Sequence, residues 1–187
     1  MATFLFHDII FGPVQSRRLG VSLGVNLLPV DNKLCNFNCI YCECGWNTRG
    51  IPPRFNPREA VREKLAGVLE AMARDNKPLN VITFAGNGEP TMHPDFEAII
   101  DDTIELRDRF VPQARIAVLS NATMIGKESV RRALMKVDDN IRKLDSAFDE
   151  TVRLIDGPNS PAYSVARTVD DMKKFDGKMI LQTMFLR

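Results

Sequence analysis

Residues 33–44 read KLCNFNCIYCEC and contain all four cysteines of a chain of 187 residues. Cys35, Cys39 and Cys42 follow the spacing Cys-x-x-x-Cys-x-x-Cys, which offers three thiolates from one short loop. This spacing suits the corners of an iron–sulfur cluster better than tetrahedral zinc, whose paired Cys-x-x-Cys hooks lie roughly a dozen or more residues apart. A zinc site and strained disulfides remain as alternatives, because neighbouring thiols can also bind one metal ion or oxidise.

The composition is that of one globular domain, which we predict to span residues 1–187. Hydrophobic residues make up 44% of the chain, and 25 basic against 24 acidic residues give a net charge of +1. No overall electrostatic field therefore favours nucleic acid or a membrane surface. The first residues do not resemble a signal peptide, and no apolar run approaches a membrane span. Clustered free cysteines favour a reducing compartment, so we expect a cytoplasmic protein.

Short apolar segments alternate with amphipathic ones along the chain, which predicts strands and helices in turn. Helices with one buried stripe are expected from Asn56 as N-cap, from His93, and farther along the chain, with His93 itself at the surface or acting as a cap. Strands that alternate with helices predict an α/β fold with a parallel sheet and right-handed connections. The predicted strands span residues 20–28, 80–86, 115–119, 140–145 and 179–186.

Small and polar residues lie at or directly after the carboxyl ends of three of these strands. Parallel α/β folds keep their ligand-binding groups at this edge, so we predict a binding site there. Glycines allow close approach of a ligand to the backbone, and a carboxylate can accept a hydrogen bond from an amine. The alternatives are an ordinary turn after the second strand and an exposed strand edge at the fourth. The predicted binding residues are Gly86, Asn87, Gly88, Glu89, Pro90, Ser120, Asn121, Lys143 and Asp145.

The cysteine stretch, with Tyr41 directly before the third ligand position, resembles the signature of the radical S-adenosylmethionine (SAM) superfamily. The resemblance implies a [4Fe-4S] cluster held by Cys35, Cys39 and Cys42, with a fourth iron left open for the amino and carboxylate groups of SAM. One electron from an external donor such as flavodoxin or ferredoxin then cleaves SAM to methionine and a 5′-deoxyadenosyl radical. Cys44 is expected not to be a ligand, because a fourth thiolate would block SAM.

The resemblance also extends to the polar residues and to the fold. Residues 86–90 resemble the Gly-Gly-Glu motif that receives the amino group of SAM, although Asn87 stands where many members have glycine. In the family, polar residues at the position of Lys143 and Asp145 contact the ribose or carboxylate of SAM. The implied fold is a partial (β/α)6 barrel whose sixth unit is missing from this chain. We therefore expect either that the chain is a carboxyl-terminally truncated fragment or that something else covers the open fifth strand.

The leader FGPVQSRRLGVSLGVNLLP, residues 11–29, resembles a subgroup of radical SAM oxidoreductases related to the wyosine-forming tRNA enzymes. Guanosine in tRNA is therefore one candidate substrate, with a phosphorylated small molecule or a glycyl-radical partner enzyme as alternatives. A non-catalytic zinc or Fe-S binding module is the alternative of another class. An anionic substrate needs a local patch of positive charge, since the net charge is near zero. We expect this patch around the cluster from Arg17, Arg18, Arg49, Arg54 and Arg58.

Overall fold

The structure, a computed structural model, describes residues 3–48 and 50–186. Its strands are β1 (Ile10–Ser16), β2 (Gly20–Val25), β3 (Val81–Phe84), β4 (Arg115–Ser120), β5 (Asp139–Lys143) and β6 (Ile180–Gln182). They form one sheet in which spatial order follows chain order. β1 pairs antiparallel with β2, and β2 to β6 are parallel neighbours. This mostly parallel α/β partial barrel confirms the predicted fold class.

Helices connect the parallel strands and pack their apolar faces against the sheet in one continuous core, which includes Leu65, Ile99 and Val118. The first three helices carry buried residues at helical spacing, as an amphipathic segment requires. In the described part of the chain, no helix is long and apolar enough to span a membrane. The helices are α1 (Arg58–Arg74), α2 (Phe96–Phe110), α3 (Glu128–Leu134), α4 (Asp149–Ile155) and α5 (Val165–Lys173), with a 3-10 helix at Pro90–Met92.

The strand β1 is absent from the sequence prediction, whose first strand begins at residue 20. The structure carries the chain through Gly12 and Pro13 within β1, where the pairing with β2 shifts register between Phe11 and Val14. Glycine and proline are turn signals, but both also occur at irregularities of edge strands. The prediction was wrong here because an edge strand tolerates a proline that a central strand cannot.

Two predicted helix starts also need correction. Asn56 does not cap α1; its side-chain amide donates to the backbone carbonyls of Asn26 (2.9 Å) and Leu28 (2.7 Å), just beyond the end of β2. His93 is 4% exposed, so its expected surface position was wrong. Its ring accepts a hydrogen bond from the backbone N–H of Asp95 at 3.0 Å, which caps the turn before α2. Both side chains therefore fasten loops at the carboxyl edge of the sheet.

Candidate active site

A cavity of about 250 Å³ opens at the carboxyl ends of the parallel strands. Apolar side chains of Phe37, Leu119 and Ile141 form part of its wall. The wall also brings together most of the residues predicted from sequence, from segments more than 100 residues apart along the chain. These predicted residues are Cys35, Cys39, Cys42, Gly88, Glu89, Ser120, Asn121, Lys143 and Asp145.

The cysteine loop is fastened to the loop after β3 by backbone pairing. Leu34 and Gly88 form a parallel β-bridge, and the carbonyl of Leu34 accepts from the N–H of Glu89 at 3.1 Å. Gly88 has φ +145°, and a Cβ at this position would lie 1.7 Å from the Leu34 carbonyl oxygen. Only glycine permits this approach, which places Cys35 beside the loop that begins at Gly86.

Gly86, Asn87 and Pro90 belong to the same loop but are not among the cavity-lining residues of the described chain. The Asn87 side chain is fully buried and makes two hydrogen bonds with the backbone of Phe6. It accepts from the N–H of Phe6 at 2.9 Å and donates to the carbonyl of Phe6 at 2.8 Å. It also donates to the carbonyl of Pro29 at 2.8 Å. Contact of these three residues with SAM stays a prediction, while the structure gives Asn87 a bracing role.

Glu89 is 2% exposed, and both of its carboxylate oxygens have protein donors. One oxygen accepts from the backbone N–H of Thr91 at 3.1 Å, and the other accepts from the backbone N–H of Asn121 at 2.7 Å. Glu89 therefore ties the end of β3 to the end of β4 while its side chain faces the cavity. The hydroxyl of Thr91 also donates to the first oxygen, so three of about four lone-pair positions of the carboxylate are taken and one is left for a ligand amine.

The turn after α4 holds the cysteine loop from another side. The backbone N–H of Asn38 donates to the carbonyl of Asp156 at 2.9 Å. Asn159 donates its backbone N–H to the carbonyl of Asn36 at 2.9 Å and its side-chain amide to the carbonyl of Cys35 at 3.1 Å. The sequence analysis assigned no role to this turn, so its contacts with the cysteine loop were missed.

A buried charge network joins this turn to β5. The ammonium of Lys143 lies 2.8 Å from the carboxylate of Asp145, contacts Asp156, and lies 3.5 Å from the sulfur of Cys39. The hydroxyl of Tyr41 donates to Asp145 and, at 3.1 Å, to Asp156. Burial opposes ionisation of Asp145, but hydrogen bonds from Lys143 and Tyr41 keep its pKa below the ordinary value. Burial raises the pKa of Asp156. Lys143 and Asp145 therefore pair with each other, and the alternative of an exposed strand edge does not hold for these two residues.

The four thiols differ in their environments. Burial raises the pKa of Cys35 to about 12 and that of Cys39 to about 11. The pKa of Cys42 is lowered to about 5, mainly by a hydrogen bond from the Cys44 thiol. Cys44 is not among the cavity-lining residues described, and its sulfur lies 3.6 Å from the carbonyl oxygen of Gly86. Three cysteines therefore face the cavity, and the fourth, Cys44, lies off the cavity wall next to Cys42.

The arginines predicted to surround the cluster are dispersed. Arg17 and Arg18 lie in the turn from β1 to β2, at the amino end of β2, whereas the cysteine loop follows its carboxyl end. A strand of this length separates the two ends by roughly 15–20 Å. Arg54 pairs with Asp31 and Arg58 with Asp102, and Arg49 lies outside the described residues. The expected patch is wrong for Arg17 and Arg18, because the prediction did not place the turn relative to the strand.

The cavity completes the evidence needed to place the chain in a family. Residues 32–185 match the radical SAM superfamily. The chain belongs to the radical SAM superfamily. The family assignment made from the cysteine signature is therefore confirmed. Membership of this family supports the prediction that the protein is an enzyme.

Relatives of this radical SAM chain include longer proteins. It is 33% identical over 183 residues to a protein of Brachyspira hyodysenteriae named GTPase Obg, covering 95% of this chain and 25% of that protein. It is 32% identical over 185 residues to a UPF0026 protein of Methanocaldococcus jannaschii, covering 95% of this chain and 54% of that protein. The chain thus spans about a quarter to a half of the length of these relatives.

Solved structures share the fold. Archaeal TYW1 has a TM-score of 0.54 at 16% identity, covering 89% of this chain and 56% of that chain. The protein anSMEcpe, solved with bound AdoMet, has a TM-score of 0.58 at 19% identity, covering 84% of this chain and 42% of that chain. Likeness at these identities concerns the arrangement of helices and strands. It places the present sheet among radical SAM partial barrels.

The residues around the cavity fit the iron–sulfur cluster that the family implies. Three thiols line the cavity, and two of them have a side-chain hydrogen-bond donor nearby. The amide nitrogen of Asn121 lies 3.6 Å from the Cys35 sulfur, and the ammonium of Lys143 lies 3.5 Å from the Cys39 sulfur. Donors of this kind stabilise thiolate ligands and tune clusters. Within residues 3–48 and 50–186, no three His, Cys, Asp or Glu side chains are grouped closely enough to hold a single metal ion. Sulfurs spaced around a cavity suit a cluster with one thiolate at each of three corners.

Proposed function

We propose that Cys35, Cys39 and Cys42 bind a [4Fe-4S] cluster and that the chain catalyses the reductive cleavage of SAM. The observation that supports this most strongly is the cavity, where all three thiols meet Glu89 and Lys143. The cysteine spacing alone is a local feature of sequence, whereas their convergence with distant polar groups requires the whole sheet. When bound, such a cluster supplies the single electron that cleaves SAM to methionine and a 5′-deoxyadenosyl radical.

In this proposal the polar residues of the wall bind and orient SAM. Glu89 offers a buried carboxylate for the amino group, since its own hydrogen bonds fix it in position. Lys143 and Asp145 offer a cation and an acceptor for the carboxylate and ribose hydroxyls, and Ser120 and Asn121 add small polar groups from β4. The apolar wall excludes water from the reacting centre, as radical chemistry requires.

For the electron donor and the substrate we propose classes of molecule rather than single molecules. An external one-electron carrier such as flavodoxin or ferredoxin supplies the electron. Guanosine in tRNA stays a candidate substrate through the resemblance of residues 11–29, although Arg17 and Arg18 lie at the other end of β2. A phosphorylated small molecule and a glycyl-radical partner enzyme remain the alternatives.

The test is anaerobic reconstitution with iron and sulfide, followed by reduction with dithionite and quantification of 5′-deoxyadenosine and methionine. The wild-type protein is expected to form both products, and Cys42→Ala is expected to form neither. Cys44→Ala is the matched control two residues away, and it should retain product formation, because its thiol is not on the cavity wall. Product formation that persists in Cys42→Ala, or that is absent from a wild-type protein carrying its full cluster, would contradict the proposal.

A further inference from the structure

Lys33 is a buried cation beside the cysteine loop that neither the signature nor the proposed chemistry accounts for. The residue is 4% exposed, and its ammonium donates to the carbonyl of Gly45 at 2.8 Å. This hydrogen bond closes the loop on itself, since Gly45 lies on the far side of all three cavity-facing cysteines. The lysine side chain therefore runs beneath the loop that carries the thiols.

The charge of Lys33 lacks a counter-ion in the described chain. Among residues 3–48 and 50–186, no carboxylate lies within ion-pair distance of its ammonium, and the carbonyl of Gly45 is its protein hydrogen-bond acceptor. Burial of an ammonium without an opposite charge is costly, so folded proteins pair such groups or place them against an anion. The environment of Lys33 points to an anionic group that binds next to the cysteine loop.

Lys143, the other ammonium at these thiols, differs in this respect. It lies 3.5 Å from the sulfur of Cys39, but it also contacts the carboxylates of Asp145 and Asp156. Two acidic partners offset part of the field of Lys143, although its N–H groups can still donate to a ligand. Lys33 has no such partner among the described residues, so its charge acts on the thiols without compensation.

The side chain of Lys33 spans the loop that carries the thiols. Lys33 precedes Cys35 by two residues, and its ammonium bonds to the carbonyl of Gly45, three residues after Cys42. The three cavity-facing cysteines therefore lie between the two points at which the lysine joins the loop. A positive charge held there is close to the negative charge that a thiolate-bound cluster would carry.

We propose that Lys33 is a positioning residue that serves as the counter-charge of the cluster and raises its reduction potential. The inference rests on the proposed function, since it requires a cluster on the three cysteines. A one-electron reduction adds a negative charge to the cluster, and a fixed positive charge nearby stabilises the reduced form more than the oxidised form. Cluster potentials respond to net charge and hydrogen bonding in this manner.

The experiment is a redox titration of the reconstituted cluster, followed by electron paramagnetic resonance, with iron and sulfide counted in every sample. Lys33→Met removes the charge at similar volume and is expected to lower the ratio of reduced to oxidised cluster about tenfold at a fixed ambient potential, which corresponds to about 59 mV for one electron. Lys33→Arg keeps the charge and should return the ratio towards that of the wild type. Lys64→Met, an exposed lysine of α1, is the matched control and should leave it unchanged.

A full cluster in Lys33→Met with the wild-type potential would overturn the inference. Lys33→Gln, which can still donate to Gly45, replaces the methionine variant if the latter holds no cluster, and the same shift is expected. If both neutral variants lose the cluster, retention in Lys33→Arg supports a requirement for charge, and loss in Lys33→Arg too shows that the side chain serves only to shape the loop. A wild-type protein without iron and sulfide would instead contradict the proposed function itself.

Discussion

Charged residues are placed differently in the loops at the carboxyl edge of the parallel sheet and on the surface of the helical layer. At the carboxyl edge, Lys33, Glu89 and Asp156 are each less than 5% exposed. Backbone groups of loops hold the side chains of Lys33 and Glu89, and the side chain of Lys143 holds that of Asp156. On the helical layer, charges such as Arg132 and Glu97 pair at the surface, where an ion pair contributes little to stability. Burying a charge costs free energy. The buried carboxylate of Glu89 faces the cavity, which indicates that this edge is shaped for binding, whereas Asp102 in the helical layer is buried against two arginines.

The largest difference is expected between two glycines. Gly88→Ala puts a Cβ at 1.7 Å from the Leu34 carbonyl and should lower the free energy of unfolding by more than about 3 kcal/mol while detaching the cysteine loop. Gly67→Ala, in α1 with open space around the position, should raise it by about 0.5–1 kcal/mol. Urea denaturation of the cluster-free proteins measures both changes in the free energy of unfolding. The same change in Gly88→Ala and Gly67→Ala would contradict the difference expected between the carboxyl edge and the helix.

The next effect concerns Glu89. Glu89→Gln places an amide where two backbone N–H groups donate, so we expect about 1–3 kcal/mol less stability and at least about tenfold weaker SAM binding, with cluster content retained. Isothermal calorimetry on the reconstituted protein measures the affinity. Glu63→Gln on the exposed face of α1 is the control. Unchanged SAM affinity in Glu89→Gln would show that this carboxylate only braces the loops.

A smaller effect is expected in the helical layer at Asp102, which accepts from Arg58 and Arg62. The hydrogen bond from Arg58 holds the pKa of Asp102 below its ordinary value, so the ionised carboxylate stabilises the folded state. Asp102→Asn should cost about 1 kcal/mol at neutral pH. This difference is present above the unfolded pKa of about 3.9 and disappears as the pH falls through the lower folded pKa. Denaturation of both proteins from pH 7 to pH 3 tests this pH dependence. A stability difference that grows as the pH falls would contradict it.

The smallest effect is expected at the amino edge. Arg17→Ala and Arg18→Ala should change neither SAM affinity nor the yield of 5′-deoxyadenosine, because the turn between β1 and β2 lies at the far end of the strand from the cysteine loop. Binding of tRNA over a salt series measures their other predicted role. A loss of SAM cleavage in either variant would place this turn nearer the cavity than the sheet allows.

Sequence predicted the parts of the molecule that depend on local pattern. The cysteine spacing indicated the family, and the apolar segments located the parallel strands and therefore the edge where Glu89 and Lys143 meet. The edge strand β1 was missed because Gly12 and Pro13 are turn residues in most contexts. The local sequence pattern gives the positions of helices and strands along the chain, but it does not show which strand lies at the edge of the sheet.

The missed site residues depend on contacts between distant segments. Asp156 follows a short helix and has no periodic signature, yet it reaches Lys143 and the cysteine loop across the fold. Lys33 stands two positions before the first cysteine, where a lysine is ordinarily a solvated charge. Asn87 was assigned to the cofactor from its place in a motif, whereas packing turns its side chain to Phe6. Side-chain direction in loops is set by tertiary contacts that no spacing rule contains.

Mössbauer spectroscopy of anaerobically purified ⁵⁷Fe protein, with and without SAM, tests most directly whether three cysteines hold a cluster with one open iron. The account predicts about four irons and four sulfides per chain, with one iron site whose spectrum changes when SAM is added. Cys35→Ala, Cys39→Ala and Cys42→Ala should each lose the cluster, and Cys44→Ala should retain it. Stoichiometric zinc without sulfide, or a cluster whose four irons are all indifferent to SAM, would contradict the account.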